Sequence, residues 1–260
     1  MSCKKKVNHL LTQKKNMPNW CSNGITISHT DPSTWKWFLS TRFDFEKISP
    51  QIKVTEDNFI EMINKYCDEI PWYSNTGICK NQCKSSKEFE GFCSKAREQL
   101  CDNLEFDLRS HILWGTKWKV DIDEEVFIKC ENDSSQNELY LTFCSAWNPP
   151  NGIYKKLHEM GFKISANFIE TGADFLGTFS NEDGELKEES SCYSAVRRQF
   201  LRYRRENKFK KDYNDYQFLK YGVEENLFNE GMADMLESEI DIWIEDAEEY
   251  EEEEVEETNE

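Results

Sequence analysis

The 260-residue chain has no apolar run near 18 residues, only four histidines, and no lysine or arginine after Lys220. The first absence excludes a membrane-crossing helix of the usual kind. The second removes most metal-hydrolase and imidazole-activated nucleophile readings. His9, His29, His111 and His158 form no His-x-x-x-His pair, and no Cys-His arrangement is present. The glycines at 172 and 177 belong to no phosphate loop, because neither G-x-G-x-x-G nor GK[ST] accompanies them. The opening "MSCKKKVNHLLTQKKN" has five lysines and no acid, but its apolar stretch, Val7 to Leu11, is short and broken by Asn8 and His9. That pattern does not make a secretory signal, so the expected location is the cytoplasm, with the ten cysteines as reduced thiols.

What is present is an aromatic, globular core. Aromatic residues make up 13% of the chain, including eight tryptophans. The net charge of −18 is not spread evenly. Residues 223–260 hold eighteen acids and no base, so the first 222 residues balance at 32 acids against 32 bases. Blocks such as "EEYEEEEVEETNE" repel themselves and stay solvated, which predicts a disordered acidic tail at 246–260.

Along the chain, "GITISH" alternates as a half-buried strand, and Asp31-Pro32 opens a helix with Trp35, Phe38 and Leu39 on one face. A helical insertion follows at about 51–110. One helix there starts near Thr55, carries Phe59, Ile63, Tyr66 and Ile70, and stops at Pro71. A second has Ser85 and Glu88 in capping-box spacing and Phe89, Phe92, Cys93, Ala96 and Leu100 aligned. "TKWKVDIDEEVFIKC" reads as a strand with Trp118, Val120 and Ile122 on one side, and "ELYLTFCSA" as the next, with Leu139, Leu141 and Phe143 inward. "NPPNGIYKKLHEMG" predicts a helix capped by Asn148 and stopped by Gly161. "KISANFIE" is a strand, and "ADFLGTFSNEDGEL" a further strand turning at Asp183-Gly184.

This order predicts an α+β domain at 17–190. Its expected architecture is a ferredoxin-like (βαββαβ) antiparallel sheet with helices on one face, a helical insertion after the first helix and a helical C-terminal extension. Residues 1–16 precede the domain as a basic extension. Residues 191–245 form the helical extension, in which "MADMLESEIDIWIED" sets Met232, Leu236, Ile240 and Trp243 on one docking face.

Five motifs in order, "MPNWCSNGITIS", "FDFEKISP", "WGTKW", "SAWNPP" and "GADFLGTF", resemble the YubB ferredoxin-like family over about Met17–Leu186. The resemblance implies the same fold and an origin in bacteriophages, plasmids or related mobile elements. Members begin at the first of these motifs, which implies that residues 1–16 are an extension or an upstream start. No activity comes with it. The insertion, the basic helix and the acidic tail depart from the family pattern.

Two aromatic loops sit at strand ends, where a scaffold presents function. Trp20, Asn23, Trp114, Gly115, Thr116, Lys117, Trp118, Trp147, Asn148 and Pro149 therefore form the candidate ligand- or partner-binding site, suited to stacking on a base or gripping a peptide. The competing reading is that these tryptophans wedge the insertion against the sheet. An alternative site is the basic-aromatic segment 197–211, with Arg197, Arg198, Arg202, Arg204, Arg205, Lys208, Lys210 and Lys211 placed for nucleic acid. Cys79, Cys83, Cys93 and Cys101 are a weak structural-zinc candidate, since they lack the usual C-x2-C hook. His29 with His111 is the one conceivable acid–base pair, for a metal-independent nuclease. Asp121, Asp123, Glu124 and Glu125 read as a solvated strand face and turn rather than a cation site.

The expected function is a non-catalytic binding protein of the cytoplasm, or of the host cytoplasm if phage-encoded. It has no cofactor and engages a host protein, nucleic acid or small ligand, with host modulation or counter-defence as the setting the resemblance suggests. Direct nucleic-acid binding through 197–211 and the tryptophan loops is the alternative.

Overall fold

The computed structural model describes residues 19–66, 69, 89–133, 135–181, 184–207, 210 and 213–257, the last ten in backbone only. The basic extension 1–16, the first two residues of the MPNWCSN motif, Ile70, Pro71, Cys79, Cys83, Ser85, Glu88, Asp183, Lys208 and Lys211 lie outside these.

The first strand, β1 (Trp20–Ser28), alternates as its sequence demands, with Cys21, Asn23, Ile25 and Ile27 turned into the core. Helix α1 (Pro32–Thr41) then starts on Asp31, whose carboxylate accepts from Thr34 N at 2.7 Å and Ser33 Oγ at 2.5 Å. These bonds hold the exposed carboxyl down at about 2. The short α2 (Phe45–Ile48) is capped by Asp44 in the same way.

The insertion contains α3 (Phe59–Tyr66) and α4 (Ser94–Asp107), which continues into a π-helical segment, Leu108–Leu113. It has an apolar cluster of its own, in which Phe59 stacks on Phe89 beside Val54, Ile63, Cys101, Leu104 and Leu108. The expected second insertion helix is broken: Phe89 and Glu90 are helical, residues 91–93 are not, and α4 begins at Ser94. Phe92 and Cys93 are exposed, not aligned on the buried stripe.

The largest departure from the sequence pattern follows. Residues 119–123 form no strand, and α5 (Glu124–Asn132) takes the second half of the expected one. Asp123 accepts from Glu125 N, two acids favour the helix N-terminus, and Phe127 and Cys130, one turn apart, face the core. Val120 and Ile122 still pack against the core from an irregular segment, so alternation reported burial without strand pairing. The acids at 121–125 are thus a loop and a helix cap, not a strand face.

The remaining strands are β2 (Glu138–Ala146), β3 (Lys163–Glu170), β4 (Phe175–Ser180) and β5 (Lys187–Cys192), with α6 (Asn151–Glu159) between β2 and β3. Pro150, not Asn148, caps α6, and Gly161 at φ +86° ends it as expected. The sheet is antiparallel throughout, in the order β2-β1-β3-β4-β5. β2–α6–β3 is a split crossover with β1 between its strands. The other split unit of a βαββαβ fold is absent because its strand is loop and helix. The meander β3-β4-β5 extends the sheet on the opposite side.

Helices lie on both faces of the sheet, not one. On the first face Ile25, Leu141, Phe143, Ile164 and Phe179 meet Phe38, Phe43, Phe45, Tyr154 and Trp114. On the second, Ile169 and Leu176 are covered by α7 (Tyr193–Asn207), α8 (Gln217–Glu224) and α9 (Glu230–Glu257). Met232, Leu236, Ile240 and Trp243 form the buried stripe of α9, as their spacing predicts. The α9 backbone runs on to Glu257, as helix, through residues expected to form a disordered tail. These C-terminal helices cover β3 to β5 and leave the β1–β2 part of that face uncovered.

Candidate functional site

The two tryptophan loops do meet, at the end of the sheet where β1 begins and β2 finishes. Trp20 stands opposite Ala146, and Trp147 N donates to Asn19 O at 2.9 Å. Gly115, at φ +79°, brings the 114–118 loop onto the start of α6. A Cβ there would stand 2.6 Å from Asn151 N, so glycine is required for both conformation and approach.

Half of the expected site is scaffold. Trp114 is buried, donates Nε1 to Ser49 O at 3.0 Å and packs its ring edge-on to Phe45. Thr116 is buried and donates Oγ1 to Ala146 O. Asn23 is buried in a polar network beneath the loop: Nδ2 donates to Cys21 O and Ser145 Oγ, each at 2.8 Å, and Tyr154 OH donates to Oδ1. Ser145 Oγ donates in turn to Asn148 O at 2.7 Å, which shapes the turn where Trp147 sits at φ +73°. Pro149 is buried, whereas Asn148 is exposed. Burial raises the Tyr154 hydroxyl and the Cys21 thiol well above their ordinary pKa ranges, so both stay protonated and neutral.

The other half is presented to solvent. Trp118 is 41% and Trp147 46% exposed, with Trp20 half-buried and its ring 6.1 Å from that of Trp118. Lys117 Nζ lies 5.3 Å from the Trp118 ring and 6.0 Å from Phe106. Arg109 lies 5.1 Å from Phe106 and 5.3 Å from Trp114. Cations and rings therefore alternate at cation–π distances along Trp114–Arg109–Phe106–Lys117–Trp118, and Trp20 adjoins Trp118 ring to ring. Phe106 and Arg109 are absent from the sequence-derived site. They come from the insertion, where only the fold shows that the π-helical segment backs onto Gly152: a Cβ on that glycine would be 2.4 Å from Ile112 O.

A concavity lies further along β1. The uncovered part of the sheet, with α9 as its wall, encloses a groove of about 640 Å³ lined by Ser22, Thr26, Tyr140, Thr142, Asn167 and Asp234, among others. Tyr140 is 60% exposed. Its OH and Asn167 Oδ1 lie over Gly24, where a Cβ would stand 2.9 and 2.5 Å from them.

The basic helix α7 is divided in its loyalties. Arg197 pairs with Asp246 of α9 at 2.7 Å, and Arg204, only 8% exposed, with Asp215 at 3.3 Å. Arg197 is thereby tied to α9, and Arg204 is withdrawn from solvent. Arg198, Arg202 and Arg205 are exposed along one side, around a shallow cleft of about 490 Å³. Arg202 is shared with Glu206 and Arg198 with Ser194 Oγ, while Lys210 bonds Asn207.

The remaining candidates do not come together. His29 sits beside Phe162 and Gly161 at the C-terminal end of α6, while His111 lies on the segment packed against the N-terminal end of that helix. The length of α6 separates them, so they form no acid–base pair. His111 instead faces Asp107 at 3.9 Å, and partial burial lowers its pKa. Of the four zinc-candidate cysteines, Cys93 is exposed at the N-cap of α4 and Cys101 is buried two turns on. Among the described residues no three His, Cys, Asp or Glu converge as a metal site, and no helix is long and apolar enough to cross a membrane.

No protein-family model matches the chain, and no curated protein matches it. Among solved structures it is similar to the crystal structure of a protein api92 from Yersinia pseudotuberculosis, family-model DUF1281. The identity is 12%, over 68% of this chain and 98% of that one, at a TM-score of 0.29. A likeness that low carries no argument about fold or function.

Proposed function

We propose that this chain is a non-catalytic binding protein, built on a variant of the ferredoxin-like sandwich, that holds single-stranded nucleic acid at its tryptophan end. The observation that carries the reading is the alternation of Arg109 and Lys117 with Phe106 and Trp118, with Trp20 beside Trp118. Aromatic faces accept bases of any sequence, and cations between them take the intervening phosphates. A peptide-binding pocket has no need for that alternation. The mobile-element resemblance supplies the biological setting, in which a strand from host or invader is held rather than cut.

The test is fluorescence anisotropy of labelled single-stranded DNA and RNA over a salt series. Trp118→Ala is expected to weaken binding by about 1–3 kcal/mol, the contribution of one stacked base. Lys117→Ala is expected to reduce the slope of log K against log salt by about 0.7, one single-strand phosphate contact. Absence of binding by the wild-type chain, or binding indifferent to Trp118, sinks the reading. Duplex-selective binding lost on Arg198→Ala and Arg202→Ala moves the site to the exposed ridge of α7.

A further inference from the structure

We propose that the groove on the second face of the sheet continues the tryptophan site and receives the bases of the same single strand. The inference rests on the reading above and extends it from an anchoring point to a track.

Continuity comes from the pleat. Side chains two apart on a strand share a face, so Trp20, Ser22, Gly24 and Thr26 form one row along β1. The row starts at the Trp20–Trp118 pair and ends beside Tyr140, which stands opposite Thr26 in the β1–β2 register. The six steps from Trp20 to Thr26 span about 20 Å, the length of about six stacked nucleotides. The row thus has an aromatic platform at each end, and Tyr140 is the most exposed large hydrophobic residue described.

The lining between the platforms suits bases and not phosphates. Ser22, Thr26, Thr142 and Asn167 are neutral hydrogen-bonding groups, and the charged side chain among the lining residues is Asp234 on the α9 wall. A carboxylate repels phosphate but accepts from an exocyclic amino group, as of cytosine. The strand therefore enters with its bases toward the sheet and its backbone on the open β2 side, while its anionic charge is met at Lys117 and Arg109. Gly24 lets Tyr140 OH and Asn167 Oδ1 close over β1 and turn polar atoms into the groove, because a Cβ there would displace both. A groove walled by one helix and open along an edge strand admits a chain lengthwise.

The experiment compares oligodeoxycytidine and oligothymidine, as trimers and octamers, by anisotropy on the full chain and on Trp118→Ala, Tyr140→Ala and Asp234→Asn. The wild type is expected to bind octamers about tenfold or more tighter than trimers, since each further stacked base adds affinity. Tyr140→Ala should erase that length dependence and leave trimer binding unchanged, whereas Trp118→Ala weakens both lengths. Asp234→Asn should narrow the preference for oligodeoxycytidine over oligothymidine. Loss on Trp118→Ala with octamer binding intact in Tyr140→Ala overturns the groove and leaves the tryptophan reading standing. No wild-type binding at either length overturns both. An oligolysine peptide that binds the wild type and not Tyr140→Ala, with the oligonucleotides silent, reassigns the groove to basic peptides. Tyr140 and Asp234 are exposed, so these variants keep the fold, which near-ultraviolet circular dichroism verifies.

Discussion

Trp114 and Trp118, four residues apart in one motif, stand in opposite environments, one buried and one exposed. Trp114→Ala opens a cavity in the first core and strands Ser49 O, and it is expected to cost about 3–5 kcal/mol in urea unfolding. Trp118→Ala removes an exposed ring and should stay within about 0.5 kcal/mol of wild type while losing ligand. Nothing in "WGTKW" distinguishes the two, because the difference is made by where Phe45 and Ser49 lie in space. Arg109 and Phe106 escape a sequence reading for a similar reason: the segments that carry them show no marked periodicity. His111 gives the residue scale its pH dependence. Partial burial outweighs the opposing pull of Asp107 and lowers its pKa below the usual value of about 6.5. The unfolded chain then binds the proton more readily, so stability present at neutral pH is lost as the pH falls below about 6.5. The urea midpoint should drop less between pH 7.5 and 5.5 (both approximate settings around that window) in His111→Gln than in wild type.

At the scale of elements, α5 shows how burial and pairing part company. Val120 and Ile122 alternate because they lie along the core, yet Asp123 takes Glu125 N and commits the chain to helix before a strand can form. Removing that cap with Asp123→Ala is expected to cost about 1 kcal/mol, with Asp123→Asn close to silent, as read by chemical denaturation. A strand at this place would feel neither change. Strand β5 failed to announce itself for the opposite reason. "KEESSC" is an outer strand with almost no buried side chain, so it has no apolar member to alternate. The helices α1 and α9 and the strands β1, β2, β3 and β4 were legible because each buries a periodic stripe. The groove was not, because it is the space left where α9 stops covering the sheet.

For the whole molecule, the acidic end and the second core share one helix. A chain ending after Ala247 keeps Met232, Leu236, Ile240 and Trp243 and removes nine of the eighteen C-terminal acids. It is expected to unfold cooperatively like the full chain and to bind single strands more tightly at low salt, since less negative charge opposes the ligand. A chain ending after Gly222 removes α9 altogether and uncovers Ile169, Leu176 and Phe200. It should bind a hydrophobic dye and lose its cooperative transition. Charge and fold can thus be separated only by a cut placed inside α9. The same helix sets a timetable for biosynthesis. Leu236 follows Leu176, the residue it helps to cover, by 60 positions. At about 5–20 residues per second, the ribosome leaves that side of the sheet without its lid for about 3–12 s. During that interval the nascent chain is at its stickiest, and the helix that ends the exposure brings with it the charge that keeps finished copies apart.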